Sequence, residues 1–399
     1  MDAQALNALW FNAGSVFTPG SPVNERDLFS GRVNVLNRIL TAVSQRGYHG
    51  VLFGERGVGK TSLANILTGH LRVTQNYLVA KVNCDAGDTF SSIWHKAFRD
   101  ITYTHHSTPA GFTGTPTQQV IPVASSLPSV VQPDDVRRLL FDLSSQTPTL
   151  IILDEYDRIA DRQVAVLISD TIKSLSDNAV AASLLLIGVA ESVDQLVEGH
   201  LSIERNLVQV PMPRMSTEEI AQIVSNGLTR LGMTISAGGL AHIVALSQGL
   251  PYITHLLALH STRAALTNES MEVNRDHVDR GVTDSLDQWQ QSIKSSYYDA
   301  VKSPQPGNIF KEVLLACALA EVDEAGYFTA AAVRSPLSNI LGRTIDIPNF
   351  ARHLKEFGQV ERAEMLTRVG TTKRFRYRFV SPIMRPYIIM RGYVEGLIK

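Results

Sequence analysis

The chain has 399 residues, 44% of them hydrophobic and 19% charged. That is room for two or three domains, and it excludes a globally disordered protein. The formal net charge of −1 excludes a general attraction to nucleic acid or anionic membrane, so any such contact needs a local patch.

Residues 1–30 form a lead-in whose second half, "FTPGSPVNERDLFSGR", is rich in Pro, Gly and Ser and reads as extended. A helix over 31–46 follows, with Val35, Ile39, Leu40 and Val43 as its apolar stripe. "GVLFG" is a short buried strand running into a glycine loop, and a helix opens at Lys60. "YLVAKVNC" is a second strand and 88–102 a helix. Residues 104–133 lack a sustained period and are dominated by Pro, Thr, Ser and Gly. They read as a mobile surface insertion. A helix over 134–146, a strand "TLIILDE", a helix over 163–177 and strands "ASLLLIGVA" and "LVQVPMP" complete this part. Apolar strands alternating with helices indicate a parallel sheet covered on both faces.

After Pro213 the strands stop. Ser216 and Glu219 form a capping box, and helices are expected over 216–231, 236–248, 252–266 and 274–301. "KSPQPGN" is a linker. Helices near 309–320, 328–341 and 347–357 follow, then two alternating segments, "QVERAEML" and "RFRYRFVS", joined by a hairpin tip at "TRVGTTK". There is no internal repeat. The expected domains are therefore the lead-in 1–30, an α/β core 31–214 with the insertion 104–133, a helical lid 215–301 and a C-terminal domain 302–399.

"GERGVGKT" matches G-x-x-x-x-G-K-[ST] at Gly54, Gly59, Lys60 and Thr61, with an apolar strand before it and a helix after it. Glycines let backbone N–H groups turn inward around phosphate oxygens, and the helix N-terminus adds positive potential. The loop residues Gly54, Glu55, Arg56, Gly57, Val58, Gly59, Lys60, Thr61 and Ser62 are the candidate nucleotide contacts. Lys60 is placed to reach the β- and γ-phosphates and Thr61 to put a hydroxyl on Mg2+. Asp154, at the end of "LIILDE", is the second candidate metal ligand, and Glu155 is the candidate to polarise the attacking water. Together they describe one Mg2+–nucleotide site with acid residues suited to hydrolysis.

The order of P-loop, Asp-Glu strand, two further strands, helical lid and C-terminal winged-helix pattern resembles the AAA+ ATPases. It is most similar to the branch of Orc1/Cdc6-like initiators and the related STAND signalling ATPases. The resemblance implies a P-loop αβα parallel-sheet core, an all-helical lid and a C-terminal winged helix. It also implies a slow ATPase switch and a nucleotide-dependent homo-oligomer. Arg205 matches the position of an arginine that reaches a neighbouring subunit's γ-phosphate. Pro251 in "SQGLPYITHLL" resembles the G-x-P element of STAND proteins. The polar residue that usually ends the fourth strand has no Asn here, which leaves Glu191 or Ser192 as substitutes. The lid arginine of the Orc1/Cdc6-like proteins is missing, with His255 one turn beyond Pro251. Arg32 belongs either near an adenine pocket or to a structural ion pair.

Residues 341–399 hold twelve Lys and Arg against five Asp and Glu, a net +7. Alternation in "TTKRFRYRF" puts Lys373 and the aromatic residues on one face and Arg374, Arg376 and Arg378 on the other. With Arg352 and Lys355 on the preceding helix, these residues suit duplex DNA. The alternative is a protein contact, as in STAND-like signalling or anti-phage systems that regulate a separate effector protein.

Two distant cysteines, Cys84 and Cys317, indicate neither a disulfide framework nor a zinc cluster and fit a reducing compartment. No uncharged apolar stretch reaches about 18 residues. No basic region precedes an apolar run at the N-terminus. The expectation is a cytoplasmic protein with no membrane contact.

Overall fold

The computed structural model describes residues 2–20, 32–107, 117–189, 203–305, 307–323, 326–371 and 374–398. The chain divides into two compact units. One holds 32–54 and 60–212; the other holds 1–31, 55–59 and 213–399.

The first element, α1 (Ala3–Val16), belongs to the second unit. It occupies the first half of the lead-in, for which no element was expected, and most of the expected extended stretch, 21–31, lies outside the described residues. The Asp2 side chain accepts from the Ala5 N–H at 2.7 Å and caps α1.

In the α/β unit, α2 (Val33–Val43) buries Ile39 and Val43 of the expected stripe, with Leu36 and Ala42 buried in place of the half-buried Val35 and Leu40. Then come β1 (His49–Phe53), α3 (Lys60–Thr74), β2 (Leu78–Asn83), α4 (Phe90–Arg99), β3 (Thr102–Ser107), β4 (Thr117–Pro122), α5 (Pro133–Ser144), β5 (Thr149–Asp154), α6 (Arg162–Asp177), β6 (Ala182–Gly188) and β7 (Leu207–Pro211). Five strands form one parallel sheet in the order β2-β5-β6-β1-β7. β5 and β6 are buried along their whole length, as expected of strands covered on both faces. Ile151, Leu153, Leu184 and Leu186 pack into a core with Trp94, which stacks on Phe98 at 5.6 Å.

The 104–133 region is a correction. β3 and β4 pair antiparallel from Thr102↔Pro122 to Ser107↔Thr117, and Val123 and Val131 join the core. β-branched Thr102, Thr104, Val120 and Ile121 fall within these strands, where such residues favour pairing. Residues 108–116 lie outside the described ones.

The second unit continues with α7 (Thr217–Arg230), β8 (Thr234–Ile235), α8 (Ala237–Ser247), α9 (Pro251–Thr267), β9 (Glu272–Val273), α10 (Arg275–Gln288) and α11 (Gln291–Val301). The capping box at Ser216 and Glu219 is present. The single helix expected over 274–301 is broken at Trp289, whose backbone is extended. Its ring packs on Tyr387 at 4.9 Å. α1 packs on α9, with the Arg263 guanidinium 4.0 Å over the Trp10 ring. Phe17 is fully buried against Gly227 of α7, where a Cβ would come under 3.0 Å from the ring.

The same unit contains α12 (Phe310–Leu319), β10 (Phe328–Thr329), α13 (Ala330–Leu341), α14 (Ile347–Glu356), β11 (Leu366–Val369), β12 (Arg376–Phe379) and α15 (Met384–Val394). The three strands form an antiparallel sheet, β10-β12-β11. The strand expected in "QVERAEML" lies three to seven residues later, because 360–362 form a 3-10 turn. α15 was not expected. It packs on α10 and α8, and Tyr393 Oη donates to Asp279 Oδ1 at 2.8 Å. The expected lid and C-terminal domain therefore share one compact unit.

His49 of β1 is fully buried. Its Nδ1 accepts from the Leu184 N–H at 3.0 Å, and its Nε2 lies 3.2 Å from Ser176 Oγ, which itself donates to the Gly47 carbonyl. The ring is thus neutral with its proton on Nε2, and burial pushes its pKa down to about 3. A depressed histidine supplies stability that is present above its unfolded pKa near 6.5 and is lost as pH falls below it. His255, pushed down to about 4 by burial, acts in the same direction in the other unit. Urea unfolding followed by circular dichroism should show stability falling from pH 6.5 towards pH 5. His49→Gln, which keeps an acceptor for Leu184, should remove one proton's share of that slope, about 1.4 kcal/mol per pH unit.

Candidate functional site

The phosphate loop begins where β1 has no room for a side chain. Gly54 has φ +155°, and a Cβ there would come under 3.0 Å from the Met212 carbonyl oxygen. Met212 in turn donates its N–H to the Phe53 carbonyl at 2.7 Å. α3 then opens at Lys60, which is only 9% exposed. Its Nζ donates to the Gly54 carbonyl at 2.9 Å. A buried ammonium held on the loop's first carbonyl is a cation already desolvated and aimed, and it suits a phosphate partner. Thr61 and Ser62 follow on the first turn, both half-buried.

Asp154 ends β5 and is 2% exposed. Its Oδ1 accepts from the Glu155 N–H at 3.0 Å. Its Oδ2 is buried without a hydrogen-bond donor, although Lys81 Nζ stands 3.1 Å away. The two facts agree if the ammonium attracts the oxygen without aligning an N–H on it. A buried carboxylate oxygen that lacks a donor fits a metal-bound position. Glu155 adopts φ +57° and is exposed, with its Oε2 2.6 Å from Arg158 Nη1. Arg205 sits exposed in a 3-10 turn just ahead of β7.

The loop residues Glu55–Gly59 belong to the other unit, with 213–399. Glu55 Oε2 accepts from Arg214 Nε at 2.8 Å, and Arg214 Nη1 reaches the Gln248 carbonyl. Gly57 and Gly59 have φ +87° and +98°, which turns their N–H groups as a phosphate cradle requires. Val58 is buried and Arg56 exposed. Pro251 is half-buried at the first position of α9. His255 is buried and neutral, edge-on to Phe17, so it is a core histidine and supplies no lid cation. Arg32 is buried with φ +62° at the start of α2.

Among the C-terminal basic residues, Arg352 and Lys355 are exposed on α14, and Arg352 Nε lies 2.5 Å from Glu356. On β12, Tyr377 and Phe379 face inward, whereas Arg376 is exposed and Arg378 half-buried. Arg376 pairs with Asp323 at 3.0 Å, and both guanidinium groups lie about 5 Å over the Tyr327 ring. Arg374 is exposed. Lys373, Glu191 and Ser192 lie outside the described residues.

The structure brings Gly54 and Lys60 together and buries Asp154 beside Lys81. Sequence reading missed the partners Lys81, Arg158 and Arg214. Lys81 had a signal, as the only charge in the apolar strand "YLVAKVNC". Arg158 sits one turn from Glu155, where pairing is expected. Arg214 had none.

Gly54→Ala tests the cradle. The added methyl forces the loop away from the Met212 carbonyl and breaks the Lys60 contact. ATP affinity by calorimetry should drop at least about tenfold, roughly the 1.4 kcal/mol or more that such strain costs.

Residues 43–197 match a family model described as the AAA domain. No curated protein matches the sequence. Among solved structures, a Walker-type ATPase of Pyrococcus abyssi is similar over 94% of this chain and 99% of its own, at 14% identity and TM-score 0.52. The Aeropyrum pernix ORC2 protein, in ADPNP–ADP complexes, matches over 96% and 97%, at 14% identity and TM-score 0.49. The Aeropyrum pernix ORC1 protein, in complex with DNA, matches over 96% and 97%, at 15% and 0.46. With a P-loop after β1 and β6 lying between β1 and the Asp154 strand, residues 43–197, which match the AAA domain model, have the P-loop αβα fold.

Proposed function

We propose that the protein is an ATP-binding and hydrolysing switch of the AAA+ type, built like the Orc1/Cdc6-like proteins. The observation that carries this reading is Lys60, buried and held 2.9 Å from the Gly54 carbonyl at the mouth of the phosphate loop. The loop N–H groups and Lys60 take the β- and γ-phosphates. Thr61 and Asp154 would hold Mg2+, which would neutralise charge building on the phosphates. Glu155 orients and polarises the attacking water, giving ADP and phosphate, and must first leave Arg158. Arg205 reaches the γ-phosphate of a neighbouring copy in a homo-oligomer.

Through Arg352, Lys355 and Arg374 the C-terminal helices and antiparallel sheet, read as a winged helix, contact duplex DNA. The pairing of Arg376 with Asp323 and the packing of Arg378 on Tyr327 favour a second reading. In that reading the winged helix is a protein-contact surface for a separate effector, as in STAND-like switches.

Lys60→Ala should abolish tight ATP binding in a titration, and a variant that binds like wild type would remove the site from this loop. Glu155→Gln keeps the metal ligands, so ATP should bind normally and turn over at least about tenfold more slowly.

Replacing Arg352, Lys355 and Arg374 together by Ala separates the two readings. Under the DNA reading, duplex affinity falls for all sequences alike. The slope of log affinity against log salt shrinks by up to about 0.9 per lost phosphate contact. Wild-type protein without duplex affinity at low salt leaves the protein-contact reading.

A further inference from the structure

Lys81 is a cation in an unusual place. It lies in β2, which pairs in parallel with β5 so that Asn83 stands opposite Asp154 and Lys81 opposite Ile152. Side chains two apart share a face, so Lys81 rises on the Asp154 side of the sheet. Its side chain is 19% exposed and that of Asp154 3%, with nitrogen and oxygen 3.1 Å apart. The ammonium nevertheless gives its hydrogen bond elsewhere, to Asn65 Oδ1 at 2.7 Å. Asn65 is on α3, one helical turn beyond Thr61. Asp154 Oδ2 is left buried without a donor.

A buried ion pair that serves only the fold needs aligned hydrogen bonds to offset desolvation. This one has charge compensation without alignment, and the lysine already holds a second anchor. We propose that Lys81 is a resident placeholder for Mg2+. It neutralises the Asp154 carboxylate while the site lacks metal and, kept on its Asn65 anchor, swings off the carboxylate when Mg2+ arrives. Like charges close to a common carboxylate repel, so the placeholder lowers Mg2+ affinity and makes metal binding reversible over the nucleotide cycle. Lys81 acts through Asp154 and is a positioning residue. The inference rests on Asp154 being the metal carboxylate of the proposed ATP site.

The test follows thermal unfolding with fixed ADP and varied free Mg2+. Lys81→Met should lower the unfolding temperature without metal. It should also reduce the free Mg2+ giving half-maximal stabilisation by about tenfold, the low end of changes seen around metal ligands. ADP affinity in a chelator should not change. Asn65→Leu, which leaves the withdrawn ammonium without an acceptor, should raise the Mg2+ requirement at least about threefold. If Lys81→Met does not fold, Lys81→Gln removes the same charge and should give the same lowered requirement. A half-maximal Mg2+ concentration that is unchanged or higher on removing the charge overturns the placeholder, since a purely structural pair changes only the metal-free stability. Asp154→Asn is the control for the underlying assignment. If its Mg2+ response equals that of wild type, Asp154 is not the metal carboxylate and both ideas fall.

Discussion

The close approach of Gly54 to the Met212 carbonyl sets the geometry on which the candidate site depends. β7 lies beside β1 in parallel register from His49↔Leu207 to Phe53↔Pro211. One more ladder bond, from the Met212 N–H to the Phe53 carbonyl, brings the next carbonyl against the residue that leaves the strand. Only a residue without Cβ can leave β1 there and turn its own carbonyl towards Lys60. An edge strand, remote in sequence from the P-loop motif, thereby sets the starting direction of the phosphate loop.

The motif residues were readable because their chemistry is local. A loop must turn, a helix must start and an acid must end a strand, and each demand falls on a few consecutive residues. The partners depend on tertiary neighbours. Lys81 meets Asp154 only because β2 and β5 are adjacent and in register. Arg214 meets Glu55 only through the fold of the 213–399 unit. The parallel sheet was equally readable, since buried strands are continuous apolar runs. The break at Trp289 was not. No Gly or Pro marks it, and what holds it is the packing of the indole on Tyr387 and Tyr252. α1 was hidden for a related reason: its short sequence carries a capping Asp2, but its docking needs the space that Gly227 leaves for Phe17.

Charge counted along a sequence differs from charge offered at a surface. The C-terminal residues are strongly basic in sum, yet Arg385 is buried and donates to the Ala318 and Ala320 carbonyls. Arg391 pairs with Glu395, and Arg362 lies over Phe310 while donating to the Ala300 carbonyl. Much of the cationic content holds helices and strands together. Among the described residues the exposed remainder is Arg343, Arg352 and Lys355 around α14 and Arg368, Arg374 and Arg376 on or next to the sheet.

The distribution of the three tryptophans has an optical consequence. Trp94 lies in the α/β unit, fully buried and stacked on Phe98. Trp10 lies under Arg263 and Trp289 against Tyr387, both in the other unit. A chain with Trp10 and Trp289 replaced by Phe would carry a single indole that reports on the sheet. The reciprocal Trp94→Phe chain would report on the helices. The fluorescence of the two proteins would then assign any early or late melting step to one unit, with no attached dye.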